Sequence, residues 1–148
     1  MLRGSASAKI DDRGRLKVPA DFRRVIEEKY GYEMFVTSVN GKSVRIYQFP
    51  VWSEVEQKLA ALPSTHPMRA KFSLVINSRG AQTVMDKQGR VLVPPKLRAL
   101  ARMGAEKEVR VVGLQNYLDV WNEEVLRRSV LSKPLTDEDL KILSDAGI

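Results

Sequence analysis

Residues 10–23 read IDDRGRLKVPADFR, and residues 85–98 read MDKQGRVLVPPKLR. At an offset of 75 the two stretches share Asp11 with Asp86, Gly14 with Gly89 and Arg15 with Arg90. They also share Val18 with Val93, Pro19 with Pro94 and Arg23 with Arg98. The common pattern is apolar-Asp-x-x-Gly-Arg-apolar-x-Val-Pro, with a second arginine four residues on. Identity at six spaced positions marks an internal repeat, the feature to be read before any other.

Each motif predicts a strand, a tight turn, a second strand and then a helix. Residues 8–10 and 16–18 flank the turn in the first copy. Gly14 and Gly89 supply the left-handed backbone such a turn needs. Pro19 and Pro94 end the second strand just ahead of a helix, where a missing N–H is harmless. Residues 21–30 carry Phe22, Val25 and Ile26 on one helical face, and Gly31 closes that helix. Asn40-Gly41 is a hairpin signal between strands at 35–39 and 43–47. Gln115-Asn116 has the same place between strands at 109–113 and 117–121. Helices are expected at 51–62, 69–77, 122–131 and 137–146, with Thr136 as N-cap of the last. A four-stranded unit of this size cannot bury both faces of its sheet. The two copies are therefore expected to pack on each other as an internal pseudo-dimer, mainly β within an α+β class. Residues 1–75 would form the first unit with its connecting helices, and 76–148 the second with the C-terminal helices.

The chain has 148 residues, 43% of them hydrophobic and 29% charged, enough for a core without covalent staples. No stretch reaches the roughly 18–20 apolar residues of a membrane span. The opening residues lack an apolar signal-peptide core, so no secretory signal is expected and the cytoplasm is the default compartment. Cysteine is absent, which excludes a disulfide framework, a thiol nucleophile and cysteine-ligated metal. His66 is the one histidine, so a two-histidine metal site within one chain is a poor fit, as is a Ser-His-Asp triad. No cofactor and no small-molecule ligand is evident. The net charge of +7 points to a polyanionic partner, nucleic acid ahead of membrane. Residues 1–75 hold 13 bases against 8 acids, and residues 76–148 hold 12 against 10.

With its duplicated motif, its Arg3-Gly4 opening and its Tyr47-x-x-Pro50-x-Trp52 segment, the sequence resembles the MraZ family over roughly residues 1–145. The duplicated D-x-x-x-R element is that family's hallmark; the second residue, Leu2, departs from its usual aromatic. The resemblance implies two AbrB-like swapped-hairpin units (ββαββ) per chain and a homo-oligomeric ring. It also implies a nucleoid-associated, non-enzymatic transcription regulator. Such a protein would bind short direct repeats in the promoter of the division and cell-wall gene cluster.

Double-stranded DNA is then the expected partner, and a basic two-stranded ribbon the expected reader. Candidate contacts are Arg3, Lys9, Arg13, Arg15, Lys17, Lys87 and Arg90. Arg13 and Arg15 suit base edges, because a guanidinium can hold guanine O6 and N7 together; Arg3, Lys9 and Lys17 suit phosphates. Asp11, Gly14, Asp86 and Gly89 form a structural motif. Asp11 with Arg15 and Asp86 with Arg90 can equally be ion pairs that fix the turn, so Arg15 and Arg90 have a structural reading beside the DNA reading. Arg23, Arg24, Arg98 and Arg102 are expected on helices, solvated or at interfaces. Tyr47, Phe49, Trp52 and Trp121 read as core or contact residues, Met68, Met85 and Met103 as packing, and His66 as an exposed loop residue. A scaffold protein with only non-specific DNA affinity is the alternative function. A hydrolase using Asp11 and Asp86 fits poorly, since the neighbouring arginines would keep both ionised.

Overall fold

The computed structural model describes residues 1–105 and 107–148. Along the chain run β1 (Ser5–Lys9), β2 (Arg15–Lys17), α1 (Ala20–Lys29), β3 (Glu33–Thr37) and β4 (Ser43–Gln48). After α2 (Phe49–Ala60) and α3 (Pro67–Arg79) come β5 (Ala81–Val84), β6 (Arg90–Leu92) and α4 (Pro95–Leu100). The chain closes with β7 (Glu108–Gly113), β8 (Tyr117–Asn122), α5 (Glu123–Leu126), a π-helical turn (Arg127–Leu131) and α6 (Asp137–Asp145). The class is α+β.

Six strands form one antiparallel sheet in the order β1-β7-β8-β4-β3-β5, while β2 and β6 form a separate ribbon. Exchanging the two halves of the chain maps this order onto itself. Arg45 faces Asp119 at the centre of the sheet, and Leu16 faces Val91 at the centre of the ribbon, so repeat-equivalent residues meet at a pseudo-two-fold axis.

The expected pairing of residues 8–10 with 16–18 is reduced to one bridge, Ile10 with Leu16, and one backbone bond from Asp11 N to the Arg15 carbonyl at 2.9 Å. Strand β1 instead pairs with β7 and β2 with β6, both in the other half; reciprocally β5 pairs with β3. The turn survives with Gly14 at φ +81° and Gly89 at φ +79°, but it carries the chain from the sheet into the ribbon. The reason is burial. Across the axis Leu16 and Val91 complete one shared apolar core, whereas a closed local hairpin would leave each half-sheet bare on that side.

Alternation divides the sheet's residues between two cores. On the inner face Val36, Val44, Ile46, Val111, Leu118 and Val120 meet Leu16 and Val91 from the ribbon, with Phe22, Ile26 and Leu97 from α1 and α4. On the outer face Phe35 and Tyr47 meet Val51, Trp52 and Ile76 from α2 and α3. Trp52 stacks on Phe35 with centroids 4.5 Å apart. Two buried polar groups tie helices to strands: Thr37 Oγ1 donates to the Ile76 carbonyl at 2.9 Å, and Gln48 Nε2 donates to the Ile26 carbonyl at 2.9 Å.

Helix boundaries follow the sequence signals within a few residues. Pro67 and Pro95 begin α3 and α4, and Thr136 caps α6 in a capping box with Asp139. The helix expected at 122–131 divides, because after Leu126 the bonding widens: Ser132 N bonds the Arg127 carbonyl, five residues back, at 2.8 Å. Arg102 lies beyond α4 with φ +56°, not on a helix. Met85 and Met103 are buried as packing residues, but Met68 is exposed in the first turn of α3. His66 is exposed and caps that helix, its Nδ1 accepting from Met68 N at 3.1 Å.

Leu16 is fully buried, under the sheet on one side and beside Val91 on the other. Leu16→Ala should destabilise the fold by about 2–5 kcal/mol, the range for a leucine deleted from a core that cannot collapse around the gap. The shift of the urea unfolding midpoint measures it; a change below about 1 kcal/mol would mean that the ribbon does not close the core.

Candidate nucleic-acid interface

In a two-stranded ribbon alternate residues share a face. Leu16 and Val91 point inward, so Arg15, Lys17, Arg90 and Leu92 form the outer face. Arg15 stands opposite Leu92 and Lys17 opposite Arg90. The ladder runs one step further at each end, with Val18 N bonding the Gly89 carbonyl at 2.8 Å and Val93 N bonding the Gly14 carbonyl at 2.9 Å. The two turns therefore sit at opposite ends of the ribbon. Arg13 is exposed on one and Lys87 on the other.

Each turn is built on its aspartate. Asp11 Oδ1 accepts from Arg13 N at 2.9 Å and Arg15 N at 2.8 Å, and Oδ2 accepts from Arg15 Nε at 2.8 Å. Asp86 repeats this with Gln88 N at 2.9 Å, Arg90 N at 2.9 Å and Arg90 Nε at 2.8 Å. The backbone N–H of Arg15 lowers the Asp11 pKa most, helped by the Arg15 side chain and the Arg13 N–H; Asp86 is lowered in the same way by Arg90 and Gln88. Within each guanidinium, the aspartate engages only Nε among the described residues. Among the described residues no hydrogen bond holds Nη1 or Nη2 of Arg15 or Arg90. The ion-pair and DNA readings of these arginines are thus compatible: one edge of the guanidinium is fixed, and the other two nitrogens remain for a partner.

A second pair of arginines, read from sequence as solvated or interfacial, backs the turns. The Arg98 guanidinium lies 2.6 Å from where a Cβ on Gly14 would stand, and Arg98 Nε donates to the Val93 carbonyl at 2.9 Å. Arg23 occupies the same place at Gly89, bonds the Lys87 carbonyl and pairs with Glu27 at 2.7 Å. Each turn is therefore supported from the opposite half of the chain. The signal was in the repeat, where Arg23 and Arg98 match, but the partner of each was not.

The remaining candidates lie elsewhere. Lys9 faces Glu108 on the side of the sheet that carries Ser5 and Ser7, away from the core and the ribbon. Arg3 sits beyond the other end of β1, beside the β7–β8 turn where Leu2 pairs with Gln115. Six residues of extended chain, about 20 Å, separate it from Lys9. The structure thus brings together Arg13, Arg15, Lys17, Lys87 and Arg90, and leaves Arg3 and Lys9 apart. Asp11 and Asp86 are at opposite ends of the ribbon and both are held ionised, which is unsuited to acid–base work at one reacting atom. Among the described residues no cluster of histidine or carboxylates could hold a metal, and no helix is long and apolar enough to cross a membrane.

Because folding lowers the pKa values of Asp11 and Asp86, their contribution to stability is complete above the ordinary value of 3.8 and is lost as pH falls through the lowered values. The urea midpoint should fall as pH drops from about 5 to about 1. Asp11→Asn with Asp86→Asn should flatten that acid limb. An unchanged slope in the double variant would show that the turns do not depend on charge.

The family model described as "MraZ protein, putative antitoxin-like" matches residues 1–74 and 78–128. The transcriptional regulator MraZ of Koribacter versatilis (strain Ellin345) is 50% identical over the whole of both chains. The protein of that name from Acidobacterium capsulatum is 43% identical, again over the whole of both chains. That of Nitrosospira multiformis is 37% identical over 84% of this chain and 83% of its own. With the duplicated Asp-x-x-Gly-Arg turns paired across a pseudo-two-fold axis and these matches along its length, the chain belongs to the MraZ family.

Proposed function

We propose that this chain is a sequence-specific, double-stranded-DNA-binding transcription regulator. It works as a cytoplasmic, nucleoid-associated homo-oligomer. The two units, 1–75 and 76–148, are AbrB-like swapped-hairpin units sharing one body. The observation that carries the reading is the outer face of the β2·β6 ribbon. Arg15, Lys17 and Arg90 lie there, Arg13 and Lys87 extend the charge at the two ends, and the apolar residues between them are fixed in the core. A two-stranded ribbon is of a size that the major groove admits. Arg13 and Arg15 at one end of the ribbon are the candidates for base edges, with Arg90, oriented like Arg15 by an aspartate, towards the other end. Lys17 and Lys87 serve phosphates, and Arg3 and Lys9 could reach only more distant backbone.

One ribbon spans few base pairs. A ring of copies places successive ribbons on successive direct repeats, and the local concentration of the second ribbon then raises affinity without new contacts. The proposed targets are short direct repeats in the promoter of the division and cell-wall gene cluster. The exposed Leu92, at the position equivalent to Lys17, favours the second reading, a scaffold with only electrostatic DNA affinity.

Fluorescence anisotropy with the chain's own upstream duplex and a shuffled duplex, at one fixed physiological salt, separates the two. The regulator should prefer its own sequence by about a thousandfold or more. Arg15→Ala should cost about 1–3 kcal/mol on the specific duplex, and Lys17→Ala should weaken both duplexes and reduce the salt slope by about 1. Inserting about half a helical turn, about 5 base pairs, between repeats should remove the avidity. Equal weak binding to both duplexes would establish the scaffold reading instead.

A further inference from the structure

The ribbon carries different chemistry at its two ends. Val93 N bonds the Gly14 carbonyl at one end, and Val18 N bonds the Gly89 carbonyl at the other. Arg13, Arg15 and Leu92 therefore gather at the first end, and Lys17, Lys87 and Arg90 at the second. By the repeat, Leu92 stands where exact symmetry would place the equal of Lys17.

Leu92 is the one apolar residue among the four on the outer face of β2 and β6. It is 44% exposed. Arg15 stands across from it, and Arg90 lies two residues back on the same face of the strand. Its chain neighbours Val91 and Val93 are fully buried. The strand cannot roll Leu92 inward without bringing both valines out. Leucine is thus held outward by the core, among guanidinium groups. It has no charge for a phosphate and no donor for a base nitrogen or oxygen.

The base edges of the major groove carry one apolar group that side chains use, the C5-methyl of thymine. Residues opposite each other in a ribbon have Cβ atoms about 4.5–5.5 Å apart. Successive bases along one strand are about 3.4 Å apart. A methyl touched by Leu92 would thus lie on the base pair read by Arg15 or on its neighbour.

We propose that Leu92 is a specificity-determining residue of the ribbon, in contact with a thymine methyl at or beside the base pair that Arg15 reads. This rests on the DNA-binding reading above. It also gives a use to a leucine that lowers the charge of the ribbon: where the second end offers Lys17 to a phosphate, the first offers apolar surface to a base.

The test removes the methyl and nothing else. Each thymine of the chain's own upstream duplex, on either strand, is replaced in turn by deoxyuridine, which pairs as thymine does but lacks the C5-methyl. Anisotropy at one fixed salt follows binding by the wild-type protein, Leu92→Ala and Leu92→Met. The wild-type protein should lose about fourfold in affinity at one thymine of each repeat, the worth of one methyl-sized group taken out of water. That thymine should lie within one base pair of the position at which Arg15→Ala relaxes specificity. Leu92→Ala should bind the parent duplex more weakly and suffer no further loss from the deoxyuridine. Leu92→Met keeps an apolar contact and should keep the discrimination. Leu92 is exposed, so the urea midpoints of both variants should match the wild type. If no deoxyuridine weakens specific binding, or if one weakens the wild type and Leu92→Ala equally, the inference is overturned and the regulator reading stands. Equal binding to the upstream and shuffled duplexes would overturn the regulator reading and the inference with it.

Discussion

Leu16 and Val91 touch across two strands of three residues each, and the rest of the fold is arranged so that they can. Neither strand could stand alone; isolated hairpins are marginal even when longer. Paired, they extend by one backbone bond at each end and close the inner core under the sheet. Bringing β2 to β6 forces the strand before each to cross as well, so β1 joins β7 and β5 joins β3. The basic outer face follows from the same constraint. With Leu16 and Val91 inward, the two-residue period of a strand leaves Arg15, Lys17 and Arg90 no other side.

Much of this is legible in the sequence. The repeat, its glycines and its prolines located the turns and the strands that leave them. Asn40-Gly41 and Gln115-Asn116 marked hairpins that do form between β3 and β4 and between β7 and β8. The strand exchange was not legible, because a closed hairpin and an exchanged one demand the same local pattern of alternation and turn residues. The partners of Arg23 and Arg98 were not legible for a related reason: both lie on helices at a contact between the halves, as expected, but each meets its glycine in the other half, beyond the reach of any local spacing rule. Lys9 is different. Its alternation with Ala6, Ala8 and Ile10 already placed it on the face away from the core, and counting positive charges hid that.

The Asp-x-x-Gly-Arg element resolves a question that spacing leaves open. An arginine fixed by a neighbouring carboxylate looks structural, and an arginine on an exposed basic face looks like a reader of nucleic acid. Bonding through Nε alone allows both, since the carboxylate orients the guanidinium and leaves its outer nitrogens available. Such prior orientation reduces the ordering cost that a free arginine would meet on binding. The two halves differ where it matters: Lys17 in one is Leu92 in the other, so the ribbon's face is symmetric in backbone and asymmetric in charge. A partner that reads it meets a defined direction.

The crossing of β1 onto β7 also bears on how the chain comes into being. Ser5–Lys9 emerges from the ribosome about a hundred residues ahead of its hydrogen-bond partner, Glu108–Gly113. At the usual pace of synthesis, about 5–20 residues per second, that strand waits on the order of 5–20 s for its place in the sheet. For most of that time Leu16 has no Val91 to cover it. Small residues at Ser5, Ala6, Ser7 and Ala8, with Lys9 beside them, make a waiting edge that is poor in apolar surface and so ill suited to stray pairing with other nascent chains.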